Sequence, residues 1–306
     1  MAQAGLHPDI DWEQTVLVWD GAELAAAGSR NGNLLKCIAV DPGHRGEDLT
    51  ATVLTQLRTE AFRCGHSHLF LYTKPENRLL FESLFFYPIA QTDKVLLMEN
   101  KQGGIQAFLD TLPQGQPGKK TGAAVMNCNP FTLGHRYLIE TAAKECDRLY
   151  VFVLSEDKSR FSAAQRLEMV RLGTADLPNV TVLPTGPYLI SSATFPTYFL
   201  KDREQAGSIQ CLLDIEIFAN HFVPRFGITH RYVGTEPLSP MTAQYNEALK
   251  AQLPGKGITL REIPRLETEA GPVSASAVRA ALEENRDIRG LVPESTLHYL
   301  GGINHG

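Results

Sequence analysis

The sequence predicts an α/β chain in two parts: a small α+β domain, then a Rossmann-like, doubly wound parallel sheet. Three observations predict it. Over residues 1–112, β-rich segments surround two helical stretches. Residues 113–120 lie in Leu112-Pro-Gln-Gly-Gln-Pro-Gly-Lys-Lys-Thr-Gly122, whose Pro, Gly and Gln content is that of an interdomain linker. Over residues 121–306, strands and helices alternate, the rhythm of a parallel sheet with crossover helices. A chain of 306 residues is long enough to bury a core in each part.

In the first part, Thr15-Val-Leu-Val-Trp19 and Leu34-Leu-Lys-Cys-Ile-Ala-Val40 are β-rich and predict strands, with the run from Gly28 to Gly32 read as a turn between them. A helix is expected over Asp48–Phe62, where Leu49, Val53, Leu54, Leu57 and Ala61 fall along one helical face. His68–Tyr72 then reads as a strand, Asn77–Leu84 as a short helix and Lys94–Met98 as a closing strand.

In the second part, strands are expected over Gly122–Asn127, Arg148–Leu154, Val180–Leu183, Thr229–Gly234 and Ile258–Ile263. The run Leu149-Tyr-Val-Phe-Val-Leu154 lacks polar alternation, as a strand buried on both faces should. Helices are expected over Leu133–Cys146, Ser162–Ala175, Phe195–Gln205, Asp214–Phe226, Pro240–Leu253 and Ala275–Glu284.

Composition narrows the function classes. A hydrophobic share of 43% with 21% charged residues is that of a folded globular chain. No run approaches the roughly 18 apolar residues of a membrane span, and the first residues lack the order of a secretory signal. A cytoplasmic protein away from membranes is expected. The net charge of −5, with no basic cluster longer than Lys119-Lys120, argues against nucleic acid as a partner. The five cysteines have no spacing that would form a zinc site, so no structural metal is expected and reduced thiols fit best. Cys128 lies in a candidate phosphate turn, where a helix N-terminus lowers a thiol pKa; with no base evident beside it, a small filler is the better reading.

The chemistry concentrates in Gly122-Ala-Ala-Val-Met-Asn-Cys-Asn-Pro-Phe-Thr-Leu-Gly-His135, an apolar strand ending in a polar turn that opens directly into a helix. The first N–H groups of a helix lack intrahelical partners and carry the positive end of its dipole, so such a turn favours anions. Gly134 permits close backbone approach. His135 is either a phosphate donor or a helix-start histidine bonded to backbone, and Thr132 either donates to a ligand or caps the helix. Downstream, Val273-Ser-Ala-Ser-Ala-Val-Arg279 opens another helix. There Ser274 and Ser276 are caps or phosphate donors, and Arg279 offers a planar fork of donors.

Thr132-Leu-Gly-His135 resembles the [His/Thr]-x-Gly-His signature of the nucleotidyltransferase superfamily, and Val273–Arg279 resembles its Ile-Ser-x-[Ser/Thr]-x-x-Arg loop. Together with Asn127–His135, Tyr188–Asp202, Val233-Gly-Thr-Glu-Pro237, Tyr245-Asn246 and Ile263-Pro-Arg265, these segments resemble the citrate (pro-3S)-lyase ligase family. The resemblance implies ATP, carried as its Mg²⁺ complex, held by Asn129, Pro130, Phe131, Gly134, Gly234, Glu236, Ser274 and Ser276, with His135, Thr132 and Arg279 acting on the phosphates. It implies an acid pocket from Ser192, Thr194, Phe195 and Tyr198, with Lys201 and Arg265 as nearby cations. The implied reaction makes acetyl-AMP and pyrophosphate from acetate and ATP. The acetyl group then passes to the phosphoribosyl-dephospho-CoA thiol on the acyl carrier subunit of citrate lyase. An adenylyltransferase acting on a phosphorylated acceptor, such as pantetheine phosphate or nicotinamide mononucleotide, shares both motifs and is the alternative.

The first domain, with Val40-Asp-Pro-Gly-His-Arg-Gly46 between strand and helix, resembles the GNAT acetyltransferase fold, whose turn there cradles the pyrophosphate of acetyl-CoA. Here Glu47 and Asp48 come next, and one like-charged pair at ~4 Å costs about 4 kcal/mol at an effective dielectric near 20. The fold without efficient acetyl-CoA chemistry is therefore expected.

Overall fold

The computed structural model describes residues 11–115, 118–156, 159–189, 206–236, 239–268 and 271–303. The chain divides into two compact units, Met1–Ala107 with Thr194–Glu216, and Phe108–Ala193 with Ile217–Gly306.

The first unit opens with strands β1 (Gln14–Asp20), β2 (Glu23–Asn31) and β3 (Leu34–Val40), followed by helix α1 (Leu49–Arg63). Then come β4 (Phe70–Thr73), α2 (Arg78–Ser83), β5 (Tyr87–Gln91), β6 (Leu96–Glu99) and α3 (Gly104–Thr111), the last running across the division between units. The sheet has the order β1-β2-β3-β4-β6-β5, antiparallel except for a short parallel pairing of β3 with β4 at Leu34–Phe70 and Leu35–Leu71. This is the GNAT-like α+β architecture. Val53, Leu54, Leu57 and Ala61 of α1 are buried against Ala26, Leu35 and Leu71 of the sheet, so the face expected from sequence is the face that packs.

Gly28 belongs to β2 and not to a turn. A Cβ there would stand 2.4 Å from Val53 and 3.0 Å from Leu57, so the glycine lets helix and strand approach. The turn falls at Gly32, whose φ of 54° is left-handed. Strand β5, not anticipated, carries Pro88 on the sheet's edge, where a missing N–H breaks no ladder.

The second unit runs β7 (Thr121–Met126), α4 (Leu133–Glu145), β8 (Arg148–Val153), α5 (Ala163–Leu172) and β9 (Val180–Pro184). It continues from α6 (Ala206–Ile217), mostly in the first unit, through a π-helical stretch at Phe218–Phe222 to α7 (Val223–Phe226) and β10 (His230–Gly234). Next are α8 (Pro240–Gln252), β11 (Thr259–Ile263), a small hairpin of β12 (Glu267–Thr268) and β13 (Gly271–Pro272), α9 (Ala275–Glu283) and α10 (Glu294–Ile303). The helix expected over Phe195–Gln205 lies outside the described residues.

Its sheet is parallel throughout, in the order β11-β10-β7-β8-β9. From β7 the chain winds outward through β8 and β9, then returns to the other side of β7 with β10. That reversal opens a crevice beyond the carboxyl ends of β7 and β10, where doubly wound sheets hold ligands. Ala124, Met126, Val151 and Val153 from the sheet pack with Ile139 and Ala142 of α4 and Met169 of α5, which fixes the helices whose first turns face that crevice.

Candidate active site

A cavity of about 230 Å³ lies at the crevice, lined by Asn127 after β7, Thr132, Gly134 and His135 at the start of α4, Gly234 and Glu236 after β10, and Arg265 and Ser274. Residues far apart in sequence thus meet at one place, because each follows a strand's carboxyl end or opens a helix. Tyr245 and Asn246 of α8 line the same cavity.

The start of α4 is defined by a reciprocal cap. Thr132 Oγ1 accepts from the His135 backbone N–H at 3.3 Å, while the Thr132 backbone N–H donates to His135 Nδ1 at 3.1 Å. Leu133 N–H donates to the Leu291 carbonyl at 2.9 Å. Gly134, at a position whose N–H has no partner inside the helix, lines the cavity. A Cβ on Gly134 would lie 2.9 Å from the Val273 carbonyl oxygen, so glycine sets the close approach of α4 to the segment entering α9.

The cap also fixes the chemistry of His135. Because Nδ1 accepts a backbone proton, the neutral ring carries its hydrogen on Nε2. Burial, and then the nearby Arg265 charge, push the His135 pKa down to about 4. At neutral pH the residue is therefore an uncharged donor, and Phe131 stacks on its ring at 6.0 Å. Both readings of Thr132 and His135 taken from sequence, cap and cavity donor, are compatible with one geometry.

The turn before the helix is built inward. Phe131 is fully buried, Asn129 is 9% exposed and Pro130 is buried, so they shape the turn while their neighbours Asn127 and His135 line the cavity. Asn129 Oδ1 accepts from Phe161 N–H at 3.2 Å. Cys128 is 1% exposed, and burial pushes its thiol pKa far up, so it fills the turn and is no nucleophile.

Arg279 ties the second motif to the first: Nη1 donates to the Asn129 carbonyl at 2.7 Å and Nη2 to Ser276 Oγ at 3.2 Å. Ser274 Oγ caps α9 by accepting from Ala277 N–H at 3.1 Å. Arg265 Nη2 donates to Glu236 Oε2 at 2.7 Å, and Glu236 Oε1 accepts from Ser239 N–H at 3.1 Å. The pair sets a cation at the cavity rim with its counter-ion beside it. Asn246 Nδ2 donates to the Gly234 carbonyl at 2.9 Å, holding the turn after β10. Ser192, Thr194, Phe195, Tyr198 and Lys201 lie outside the described residues.

Sequence reasoning did not single out Arg166, which is fully buried in α5 and donates to the carbonyls of Phe161, Asn127, Leu154 and Glu156. A signal existed: Arg166 shares a helical face with the buried Met169 and Val170, an unusual place for a charge. In the first unit, the Val40–Gly46 turn lines a separate cleft of about 550 Å³. Its helix start, Asp48, has φ of 54° and makes no side-chain cap bond.

Among the described residues no cluster of three or more His, Cys, Asp or Glu forms a metal site, and no helix is long and apolar enough to cross a membrane.

A family model described as the citrate lyase ligase C-terminal domain matches residues 121–300. The chain is 42% identical to the citrate (pro-3S)-lyase ligase of Klebsiella pneumoniae, over 98% of this chain and 90% of that protein. It is 41% identical to the ligase of the same name from Escherichia coli (strain K12), over 97% and 87%. Among solved structures, Thermotoga maritima TmcAL bound with alpha-thio ATP shares 15% identity, with a TM-score of 0.40 over 61% of this chain and 56% of that one. A putative nicotinate-nucleotide adenylyltransferase from Vibrio parahaemolyticus shares 17%, with a TM-score of 0.37 over 60% and 99%. On its close relatives and the matching family model, the chain belongs to the citrate lyase ligase family of enzymes.

Proposed function

We propose that the protein uses ATP to acetylate the thiol of the phosphoribosyl-dephospho-CoA group on the acyl carrier subunit of citrate lyase, switching that enzyme on. In the first step an oxygen of acetate attacks the α phosphorus of ATP. The bond from Pα to the bridging oxygen breaks, leaving acetyl-AMP and pyrophosphate. In the second, the deprotonated thiol attacks the acetyl carbonyl, a C–S bond forms and AMP departs. Family membership supports the overall activity, and the observation that carries the assignment of the site is His135 as a neutral Nε2 donor at the start of α4.

An ionised carboxylate needs no general base, so the protein's part in the first step is to position and to stabilise charge. The open end of α4, His135 Nε2–H and Arg279 are suited to the negative charge that builds on pyrophosphate, and Thr132 holds the imidazole in the donating tautomer. Gly234 and Glu236 are assigned to the nucleotide side, with Ser274 and Ser276 shaping the start of α9. Ser192, Thr194, Phe195 and Tyr198, with Lys201 and Arg265, are assigned to the acid. Magnesium is taken to enter with the nucleotide as MgATP, since such ions ride on phosphates and not in dedicated cages. Adenylation belongs to residues 121–306 in this reading, with residues 1–112 as the GNAT-like domain, 113–120 as linker and the cytoplasm as the working compartment.

The test is ATP–pyrophosphate exchange with purified protein and magnesium, with and without acetate. Acetate-dependent exchange supports acyl-adenylate formation. Activity only with a phosphorylated acceptor moves the protein to the adenylyltransferase reading.

A further inference from the structure

The carboxyl end of β7 carries a side chain whose orientation is set by a group deeper in the protein. Arg166 Nη1 donates to Asn127 Oδ1 at 2.7 Å and to the Asn127 carbonyl at 2.9 Å. The same guanidinium holds the Leu154 carbonyl at 2.8 Å, and its Nε donates to the Phe161 carbonyl at 3.1 Å. It thus spans the carboxyl ends of β7 and β8 and the start of α5. The start of α5 is itself fixed by a reciprocal cap between Ser162 and Gln165.

A guanidinium has donors and no acceptor, so the amide facing it must present its oxygen. The Asn127 amide is therefore determined, and its Nδ2 hydrogens point the other way. Asn127 is exposed and lines the cavity shared by Thr132, Gly134 and His135. Among the described residues, Nδ2 meets no partner. Without Arg166 the amide could flip and turn an oxygen toward the phosphates.

We propose that Arg166 is a positioning residue that aims Asn127 Nδ2 at the cavity, where it donates to an anionic oxygen of the phosphoryl group under attack. This rests on the adenylation reading above and adds a donor on the β7 side to those at the start of α4. Arg166 acts only through what it holds. Asn127 makes the contact.

The experiment compares Asn127→Ala, Arg166→Lys and the double variant in the full chain, by acetate-dependent ATP–pyrophosphate exchange, MgATP binding calorimetry and thermal unfolding. Asn127→Ala is expected to unfold within a few degrees of the wild type, to bind MgATP at least tenfold more weakly and to lose about 10- to 100-fold in kcat/KM for ATP. Arg166→Lys is expected to lose kcat/KM at least tenfold. In the Asn127→Ala background that substitution should cost under threefold, since its target is already gone. Exchange by Asn127→Ala within threefold of wild type overturns the proposal even if Arg166→Lys fails to fold. So does a loss from Arg166→Lys that is the same with and without Asn127. If wild type gives no acetate-dependent exchange, the acid is wrong, and calorimetry decides separately: at least tenfold weaker MgATP binding by Asn127→Ala supports the donor, and unchanged binding, or none by wild type, overturns it.

Discussion

At the scale of single residues, His135 couples stability to pH. Its folded-state pKa of about 4 lies below the ordinary 6.5, so the unfolded chain takes up the proton first on acidification. The stability held by the neutral ring is present above pH 6.5 and is lost progressively as pH falls toward 4. At full protonation the difference amounts to about 3 kcal/mol. Urea unfolding of wild type and His135→Gln between pH 7.5 and 4 should give curves that converge on the acid side. A constant separation across that range would assign the pH dependence elsewhere.

The partner of that histidine is as specific. Thr132 is 1% exposed and holds both the backbone N–H and, through its own N–H, the ring of His135. Thr132→Val keeps the shape but removes the cap, at about 1 kcal/mol by analogy with other N-caps. Exchange should fall more than tenfold because the first turn of α4 loses the hydroxyl that accepts from the His135 N–H, which loosens the frame of the imidazole even though the residue 132 N–H still meets Nδ1, and Thr132→Ser, which keeps the oxygen, should stay within threefold. Near-normal exchange by Thr132→Val with a loss in Thr132→Ser would mean that the methyl group matters and the hydroxyl does not.

At the scale of elements, the site depends on how closely α4 meets the segment that opens α9. Gly134→Ala would bring a Cβ to 2.9 Å from the Val273 carbonyl, a backbone atom that moves only if α9 moves. The expected outcome is a loss of about 1–3 kcal/mol in thermal unfolding, in the range of overpacked sites. The KM for ATP in exchange should rise together with it. A raised KM with an unshifted midpoint would point to the ligand's own path and not to the packing of the two helices. The same logic explains why the turn residues Asn129, Pro130 and Phe131 are buried: they set the angle at which β7 hands over to α4, and the cavity is lined by the residues on either side of them.

At the scale of the whole molecule, the two units carry separate cores. Leu57 is fully buried in the first, and every described residue assigned to the site lies in the second. Leu57→Ala should cost about 2–5 kcal/mol within its own unit and split thermal unfolding into two steps. Acetate-dependent exchange below the first step should be preserved. Loss of exchange in step with that first transition would show that adenylation requires the first unit intact.

Much of this was legible in the sequence, for reasons that differ by element. Strand β8 inside the parallel sheet announces itself as an unbroken apolar run, and α1 as a 3.6-residue stripe, because burial on two faces or on one leaves those patterns directly. The glycine and histidine of α4 were legible because the tight turn from β7 into a capped helix start needs specific residue types at fixed spacing. Gly28 was misread because a glycine that admits a helix and one that makes a turn look alike in sequence. Strand β5 was hidden by Pro88, which is harmless only on an edge that the sequence does not reveal. What the sequence determined by itself was therefore the two-part α/β organisation and the two motifs that open α4 and α9, since local periodicity and turn chemistry are properties of neighbouring residues. Only the tertiary structure decided that His135 is a neutral Nε2 donor, that Arg265 is matched by Glu236, and that a buried Arg166 aims Asn127. Tautomer, burial and amide orientation are fixed by partners that lie tens of residues away along the chain.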